Sequence, residues 1–356
     1  MSITLSTTCL AVVKLFLISL GGCLLVRLGL FSREAVTDLA RLILYLPLPA
    51  LVFITIFRRF NPTLILEAAV IPLSAILLTV LAGGLAWVGA FLSHVPPEHR
   101  STYFAVLLFG NSGYIPIPLV MSILPEEKGE EAVALISLFI LLFTPMLWSI
   151  GVYLVAHRKS PGISTKEGSK QSLYLRKMIS PPLIGIVSGI LCAVISPVKE
   201  FLHSGGKFLV ESLSLLGQAT VPLVMILLGT IMATISVSRS GESKGVSREK
   251  EDPKEGAGIC FSGRLLFKFS GGVLFLRMLL LPAIVIPVLV LLPLPNMIKW
   301  IIAIESMVPP ATNLVVIARN YGRPAELISL TILITYLCSL VTLPLLIHII
   351  TRLFPV

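Results

Sequence analysis

Two short stretches of helix-breaking residues, one in each half of the chain, carry the polar groups best suited to bind a small solute. The first stretch lies within 110–118. Its candidate binding residues are Asn111, Ser112, Gly113, Pro116 and Pro118. Asparagine offers two hydrogen-bond donors and an acceptor, which suits a carboxylate with a neighbouring polar group. Proline lacks an N–H and clashes with the preceding turn, so the pattern predicts a helix that stops and begins again near Ile117.

The second stretch repeats this pattern nearly two hundred residues later. Its candidate binding residues are Pro309, Pro310, Thr312 and Asn313. If the two interrupted helices run antiparallel and cross at their breaks, two helix N-termini face one small volume. Such ends carry roughly half a unit of positive charge and unpaired N–H donors, so they favour anions. The pair of breaks therefore predicts a binding site for a small organic anion.

Glu305 lies about one turn before Pro309, deep in an apolar stretch. An ionisable side chain at such a depth is costly and marks a functional site. We expect Glu305 to carry a proton coupled to solute movement or to coordinate a cation such as sodium together with unwound carbonyls. The alternative is a buried, protonated glutamate that bonds a neighbouring helix.

The composition is that of a membrane protein. The chain of 356 residues is 56% hydrophobic and only 13% charged, and its mean hydropathy is +0.97. Soluble domains carry about 25% charged residues. Ten apolar stretches approach the roughly 20 residues that a helix needs to span a bilayer. They cover 9–30, 36–57, 64–92, 102–124, 131–156, 179–197, 207–233, 271–292, 297–318 and 327–350.

Ten spans divide into two groups of five, which predicts an all-α polytopic fold with two inverted repeats. The first repeat covers 1–157 and the second covers 179–356, and a cytosolic linker over 158–178 joins them. An odd number of spans in each repeat reverses the topology of the second, a common plan in transporters. In this plan the broken helices are spans 4 and 9. A polar stretch of mixed charge at 236–263 predicts a disordered cytosolic loop.

The basic residues set the predicted orientation. With the N-terminus outside, 19 of the 28 lysines and arginines fall in inner loops and flanks, seven fall outside and two lie within spans. The positive-inside rule then places both termini on the non-cytosolic side of the cell membrane. This placement makes the net charge of +10 a membrane signal, and no nucleic-acid partner is expected.

The two basic residues within spans are Lys14 and Arg277, and both are expected to extend toward the headgroups. Arg277 could instead offset an anionic substrate. The five cysteines show no paired spacing, and no catalytic motif is present. We therefore predict a protein that is not an enzyme and that has no metal site or cofactor. Its expected partners are the solute, a coupling proton or sodium ion, the lipid bilayer and, as a possibility, a second copy of the chain.

Three motifs resemble those of the auxin efflux carrier family. Residues 110–119 are similar to its Asn-x-Gly-aromatic-x-Gly-x-Pro-Leu signature, and residues 307–322 closely resemble its second signature. Residues 46–53 look like the second span of the family, and the resemblance extends over nearly the whole chain. The length is similar to that of the prokaryotic, malonate permease-type members, whereas plant PIN-type carriers have longer central loops. Pro116 stands where the family usually has glycine, which removes an N–H and stiffens the first break.

The resemblance implies a scaffold of spans 1, 2, 6 and 7 and a mobile transport part of spans 3–5 and 8–10. It also implies an organic anion held where spans 4 and 9 cross, moved by an elevator-like change of access. Carried over by position, the binding residues are Asn111, Pro118, Pro310 and Asn313.

The sequence thus favours a secondary transporter, by family expectation an exporter, of small carboxylates or auxin-like acids. Three alternatives remain open. The first is a sodium-coupled organic-anion symporter of the bile-acid-carrier type, which Glu305 favours. The second is an anion-binding membrane sensor that does not transport. The third and weakest is a channel, because nothing resembles a filter or a charged ring.

Overall fold

The computed structural model describes residues 5–59, 69–156, 181–241, 263–321 and 325–356. Within these ranges the chain is helical, and its only β-type pairing is one isolated bridge. The first half forms α1 (Leu5–Arg27), α2 (Arg33–Tyr45), α3 (Pro47–Arg59), α4 (Val70–Leu92), α5 (Pro97–Leu108), α6 (Pro116–Ile123) and α7 (Glu126–Ala156). The second half forms α8 (Pro181–Val194), α9 (Ser196–His203), α10 (Lys207–Gln218), α11 (Thr220–Gly241), α12 (Gly263–Leu291), α13 (Asn296–Met307), α14 (Asn313–Asn320) and α15 (Glu326–Leu353). The all-helical prediction is confirmed for these residues.

Seven helical stretches in the described ranges are long and apolar enough to cross a membrane. They are Ser6–Arg27, Glu34–Arg59, Val70–Leu92, Glu126–Ala156, Lys207–Ala233, Gly263–Leu291 and Glu326–Leu353. Helices α8 and α9, which meet at a bend of 96°, give an eighth if they are taken together. The chain is therefore an integral multi-pass membrane protein.

The predicted spans 102–124 and 297–318 each consist of two short helices. Helices α5 and α13 have 12 residues each, and α6 and α14 have eight. None of the four reaches the roughly 20 residues of a bilayer crossing. Each pair is separated by unwound backbone that contains the helix breakers.

The predicted polar segments fall mostly outside the described residues. This holds for the whole linker 158–178. The predicted loop 236–263 is too wide, because α11 continues to Gly241 and α12 begins at Gly263. A helix propagates through backbone hydrogen bonds, so it can extend past the last apolar residue of its span. Residues 242–262 are outside the described ranges.

Glycines allow close helix contacts between the two halves of the chain. A Cβ on Gly22 of α1 would lie 2.1 Å from the Ile226 carbonyl oxygen of α11, and one on Gly229 of α11 would lie 1.6 Å from the Ser19 carbonyl oxygen. Helix α8 approaches α3 in the same way, since a Cβ on Gly185 would lie 2.6 Å from the Pro49 carbonyl oxygen. Small residues let backbones pack closely in a bilayer, where burial from water gives no driving force between helices.

Ion pairs join the C-terminal end of α3 to the first turns of α7. Arg58 contacts Glu130 at 3.0 Å, and Arg59 contacts Glu127 at 3.1 Å and Glu130 at 3.3 Å. Glu130 is the most buried of the four side chains. The pairs hold the first turns of α7 beside the end of α3.

Replacing Gly22 with alanine should destabilise the fold, whereas the same change at Gly21 should not. The added methyl group at Gly22 meets the α11 backbone, and overpacking of this kind costs about 1–3 kcal/mol. A Cβ on Gly21 would have nothing within 4 Å, and alanine is the better helix former by about 1 kcal/mol. Thermal unfolding of the two purified variants measures the difference. Equal midpoints would contradict the close contact between α1 and α11.

Candidate functional site

The two unwound segments meet and pair through their backbones. Gly110 and Pro310 form an isolated antiparallel bridge. The Asn111 N–H donates to the Pro309 carbonyl at 2.8 Å, and the Ala311 N–H donates to the Phe109 carbonyl at 2.9 Å. Unwound backbone at membrane depth must satisfy its polar groups within the protein or in a water-filled cavity. Part of that requirement is met here by joining one break to the other.

Proline and glycine occupy the two facing positions for separate reasons. The two hydrogen bonds of the bridge come from the N–H groups of Asn111 and Ala311, so Gly110 and Pro310 form a non-hydrogen-bonded pair. Pro310 lacks an N–H, and at this position that costs no hydrogen bond. Gly110 has no side chain, and a Cβ there would lie 2.0 Å from Nη2 of Arg277 and 2.8 Å from Val308. The crossing thus needs glycine because a guanidinium lies directly against the backbone.

The position of Arg277 shows that the prediction of a side chain extended toward the headgroups is wrong. Arg277 does not extend to the headgroups, because it is only 3% exposed and its side chain lies at the crossing. Its Nη1 donates to the carbonyls of Leu107 (2.8 Å) and Leu108 (3.2 Å), and its Nε donates to the Val308 carbonyl at 3.3 Å. The first two carbonyls are in the last turn of α5 and the third directly follows α13, where the end of a helix carries partial negative charge. The side chain therefore binds these interior carbonyls and does not reach the headgroups.

Arg277 lies on a π-helical segment, Leu274–Leu280, within α12. A second π-helical segment, Leu147–Gly151, interrupts α7. Such irregular turns are rare and often occur at functional sites. Here one of them aims Arg277 at the crossing, and the other places Leu147 and Trp148 on the wall of the cavity described next.

A cavity of about 690 Å³ extends from the crossing toward one end of the helices. Its walls come from α2, α3, α7, α8, α11 and α14, and the exposed residues Thr37 and Arg41 of α2 lie at its outer end with Pro181 of α8. The volume is within the range of small-molecule sites, roughly 300–1,000 Å³. A small solute could therefore enter from this end and reach both breaks.

Five of the nine predicted binding residues line this cavity: Asn111, Ser112, Gly113, Thr312 and Asn313. The four prolines do not line it. Pro116 and Pro118 lie in the first turn of α6, and Pro309 and Pro310 take part in the backbone pairing. Tyr114 and Trp148 also line the cavity, although nothing in their sequence context favours this over core packing.

Pro116 occupies the first position of α6, where an N–H has no partner within the helix in any case. It therefore does not weaken the helix. With Pro118 two residues later, the first three residues of α6 offer a single N–H, that of Ile117. The first break is thus the poorer source of backbone donors for an anion.

The Asn111 side chain is held at both ends. Its Oδ1 accepts the Tyr114 N–H at 3.0 Å, and its Nδ2 donates to the hydroxyl of Tyr336 on α15. Asn111 is 5% exposed and Tyr336 is 2% exposed. Tyr336 is not predicted from the sequence. A buried tyrosine hydroxyl usually has a hydrogen-bond partner, but the sequence does not show on which helix that partner lies.

Glu305 lies behind the crossing and does not line the cavity. It is 1% exposed, and neither carboxylate oxygen forms a hydrogen bond with a described residue. The Ser112 hydroxyl and the Arg277 guanidinium are the polar groups that interact with it, although the serine does not reach hydrogen-bond geometry. Ser112 therefore has the cavity on one side and Glu305 on the other.

A family model described as membrane transport protein matches residues 7–347. The chain belongs to this family. The expected relation to the auxin efflux carriers is thereby confirmed, and the protein is a membrane transporter by family.

Relatives of this transporter occur in archaea and fungi. An uncharacterized transporter of Methanocaldococcus jannaschii is 26% identical over 321 residues, which cover 89% of this chain and 90% of that protein. One of Schizosaccharomyces pombe is 19% identical over 343 residues, with 71% of this chain and 75% of that protein covered. One of Saccharomyces cerevisiae is 26% identical over 145 residues, which are 39% of this chain and 23% of that protein.

In this transporter the Asn111–Tyr336 bond should be measurable as a coupling energy. Asn111→Ala and Tyr336→Phe should each lower the free energy of unfolding by about 1–3 kcal/mol, because each leaves a buried group unpaired. The double variant should lose less than the sum, with a coupling of about 0.5–3 kcal/mol. Thermal unfolding of the four proteins in one detergent gives the cycle. Strictly additive losses would show that the two side chains do not act as a pair.

Proposed function

We propose that the protein is a secondary transporter of small organic anions, and that the anion binds where the two breaks cross. The observation that carries this proposal is the composition of the inner end of the cavity. Both breaks contribute polar side chains to it, namely Asn111, Ser112, Thr312 and Asn313. A solute in this position contacts both halves of the chain, as alternating access around one site requires.

The charge distribution around this end favours an anion. Helices α6 and α14 begin here, so their positive N-terminal ends are near the same volume. Within the described residues, the N–H groups of Thr312 and Asn313 donate to no backbone carbonyl. A carboxylate could accept these two N–H groups together with the Asn313 side chain. Glu305 is the one nearby anionic side chain of the described residues, and it lies beyond Ser112 beside Arg277.

The pattern of helices supports ten spans in two inverted repeats. Counting α5 with α6 and α13 with α14 as single broken spans, and α8 with α9 as another, adds three crossings to the seven long ones. The wide end of the cavity is then on the side of the basic loops, which we take as the cytosol with both termini outside. The structure corresponds in this reading to an inward-open state of an elevator-like cycle in the cell membrane.

A sodium-coupled symporter of the bile-acid-carrier type is a second candidate, and the buried carboxylate of Glu305 is the observation that favours it. An unpaired carboxylate near unwound carbonyls resembles a cation site. The presence of Arg277 beside Glu305 opposes this candidate. Sodium dependence of flux separates it from the first proposal.

Asn313→Ala should strongly reduce saturable flux without destabilising the protein. The Asn313 side chain is half-buried in the cavity wall and forms no hydrogen bond with a described residue, so its loss removes a solute contact alone. Asn296→Ala is the matched control, because Asn296 is exposed at the other end of α13 and bonds only the Pro355 carbonyl. Proteoliposomes measure uptake of labelled malonate, malate, lactate and indole-3-acetate under imposed pH and sodium gradients.

We expect one or more of these acids to show saturable flux in wild type and in Asn296→Ala, with a loss of at least about tenfold in Asn313→Ala, equivalent to about 1.4 kcal/mol. Equal flux in all three proteins would exclude the crossing as the site. Saturable binding without any flux would favour the sensor.

A further inference from the structure

Arg277 is a permanent positive charge at the meeting point of the two broken helices. Guanidinium groups stay protonated in proteins, and this one is almost fully buried on a membrane helix. Its three acceptors are all backbone carbonyls: those of Leu107 and Leu108 in the last turn of α5, and that of Val308 directly after α13. A charge at this depth is costly unless its partners are close, so the position calls for a function.

The oxygen atoms around the guanidinium are of the kinds that coordinate sodium in other transporters. In transporters, unwound carbonyls and the C-terminal ends of half-helices coordinate sodium or a proton. Carbonyl and carboxylate oxygens are the ligands that such ions prefer. Here the carbonyl ends of both half-helices, the Glu305 carboxylate and the Ser112 hydroxyl surround one region, and the region already contains a cation that belongs to the protein.

We propose that Arg277 is a built-in cation that takes the place of a coupling sodium ion at the crossing, so that this transporter moves its anion without sodium. The guanidinium supplies the positive charge that Glu305 and the two helix ends require. The transport half of this proposal depends on the function proposed above, whereas the cation half depends on the contacts of Arg277 and on its interaction with Glu305.

The shape of the guanidinium explains why arginine suits this position. Its nitrogens project in a rigid planar fork, and Nη1 reaches the end of α5 while Nε reaches the end of α13. Gly110 leaves room for Nη2, since a Cβ there would lie 2.0 Å from that atom. A lysine would supply the charge from one nitrogen only and could not bridge the two helix ends in this way.

The electrostatic environment of Glu305 also calls for a nearby cation. Glu305 lies in the last turn of α13, where the helix dipole is unfavourable for an anion. Arg277 is the positive charge that interacts electrostatically with this carboxylate, although the two form no direct ion pair. Leaving a buried charge uncompensated is destabilising. Without Arg277, an uncompensated carboxylate and the freed carbonyls of Leu107, Leu108 and Val308 would remain in one buried region. That set of oxygens should then bind a monovalent cation from solution.

The test measures thermal unfolding of purified protein in sodium chloride and in N-methyl-D-glucamine chloride at equal ionic strength. Wild type should unfold at the same temperature in both salts. Arg277→Gln should unfold lower, and sodium should raise its midpoint by about 3 °C or more, since a ligand that binds only the folded state stabilises it. Arg277→Gln combined with Glu305→Gln should not respond to sodium. Arg352→Gln, which changes an exposed arginine at the end of α15, is the control.

A sodium-dependent midpoint in wild type would overturn the proposal, and so would a folded Arg277→Gln that ignores sodium. If Arg277→Gln cannot be purified in either salt, the same unfolding measurement on Arg277→Lys tests the proposal. That variant keeps a cation, so it should fold with a lower midpoint and no sodium response, and a sodium-raised midpoint would count against the built-in cation.

Flux in the same two salts completes the test. Wild-type flux should agree within about twofold between sodium and N-methyl-D-glucamine, and a sodium requirement would overturn the proposal. Absence of flux for every acid in both salts would reject the proposed transport function. It would leave the cation assignment intact, because the unfolding measurement needs no organic anion.

Discussion

The backbone pairing between Phe109–Asn111 and Pro309–Ala311 is the constraint on which the rest of the site is built. A membrane interior offers no water to an interrupted helix, so each break must find partners for its exposed N–H and C=O groups. The two breaks supply two hydrogen bonds to each other. As a consequence, the half-helices on either side begin and end beside one another, and residues almost two hundred positions apart in sequence line one cavity.

The pairing leaves the last carbonyls of α5 and the carbonyl after α13 without partners in the bridge, and Arg277 accounts for three of them. At the first break the Asn111 side chain accepts the Tyr114 N–H and donates to the Tyr336 hydroxyl. Helices outside the crossing thus contribute to it, α12 through a guanidinium and α15 through a phenol. Close glycine contacts fix α11 against α1 and α8 against α3.

The parts of this arrangement that have a local signature can be predicted from the sequence. Proline and glycine clusters within apolar stretches locate the breaks, and polar residues inside the breaks locate the cavity end. The prediction for Arg277 is wrong, because distance from a span end measures only the reach to the headgroups, whereas carbonyls from two other helices lie closer. Tyr336 is missed for a similar reason. A tyrosine in an apolar helix looks the same whether it packs or bonds, and its partner is 225 positions away.

The bridge at the crossing is made of main-chain atoms, whereas the cavity end beside it is made of side chains. A substitution at Ser112, Thr312 or Asn313 alters the groups that face the cavity and removes none of the backbone hydrogen bonds that join the two breaks. The groups that line the cavity and the groups that join the breaks are therefore different atoms, and most of them belong to neighbouring residues. A chain built in this way can exchange one cargo for another while its architecture is inherited unchanged.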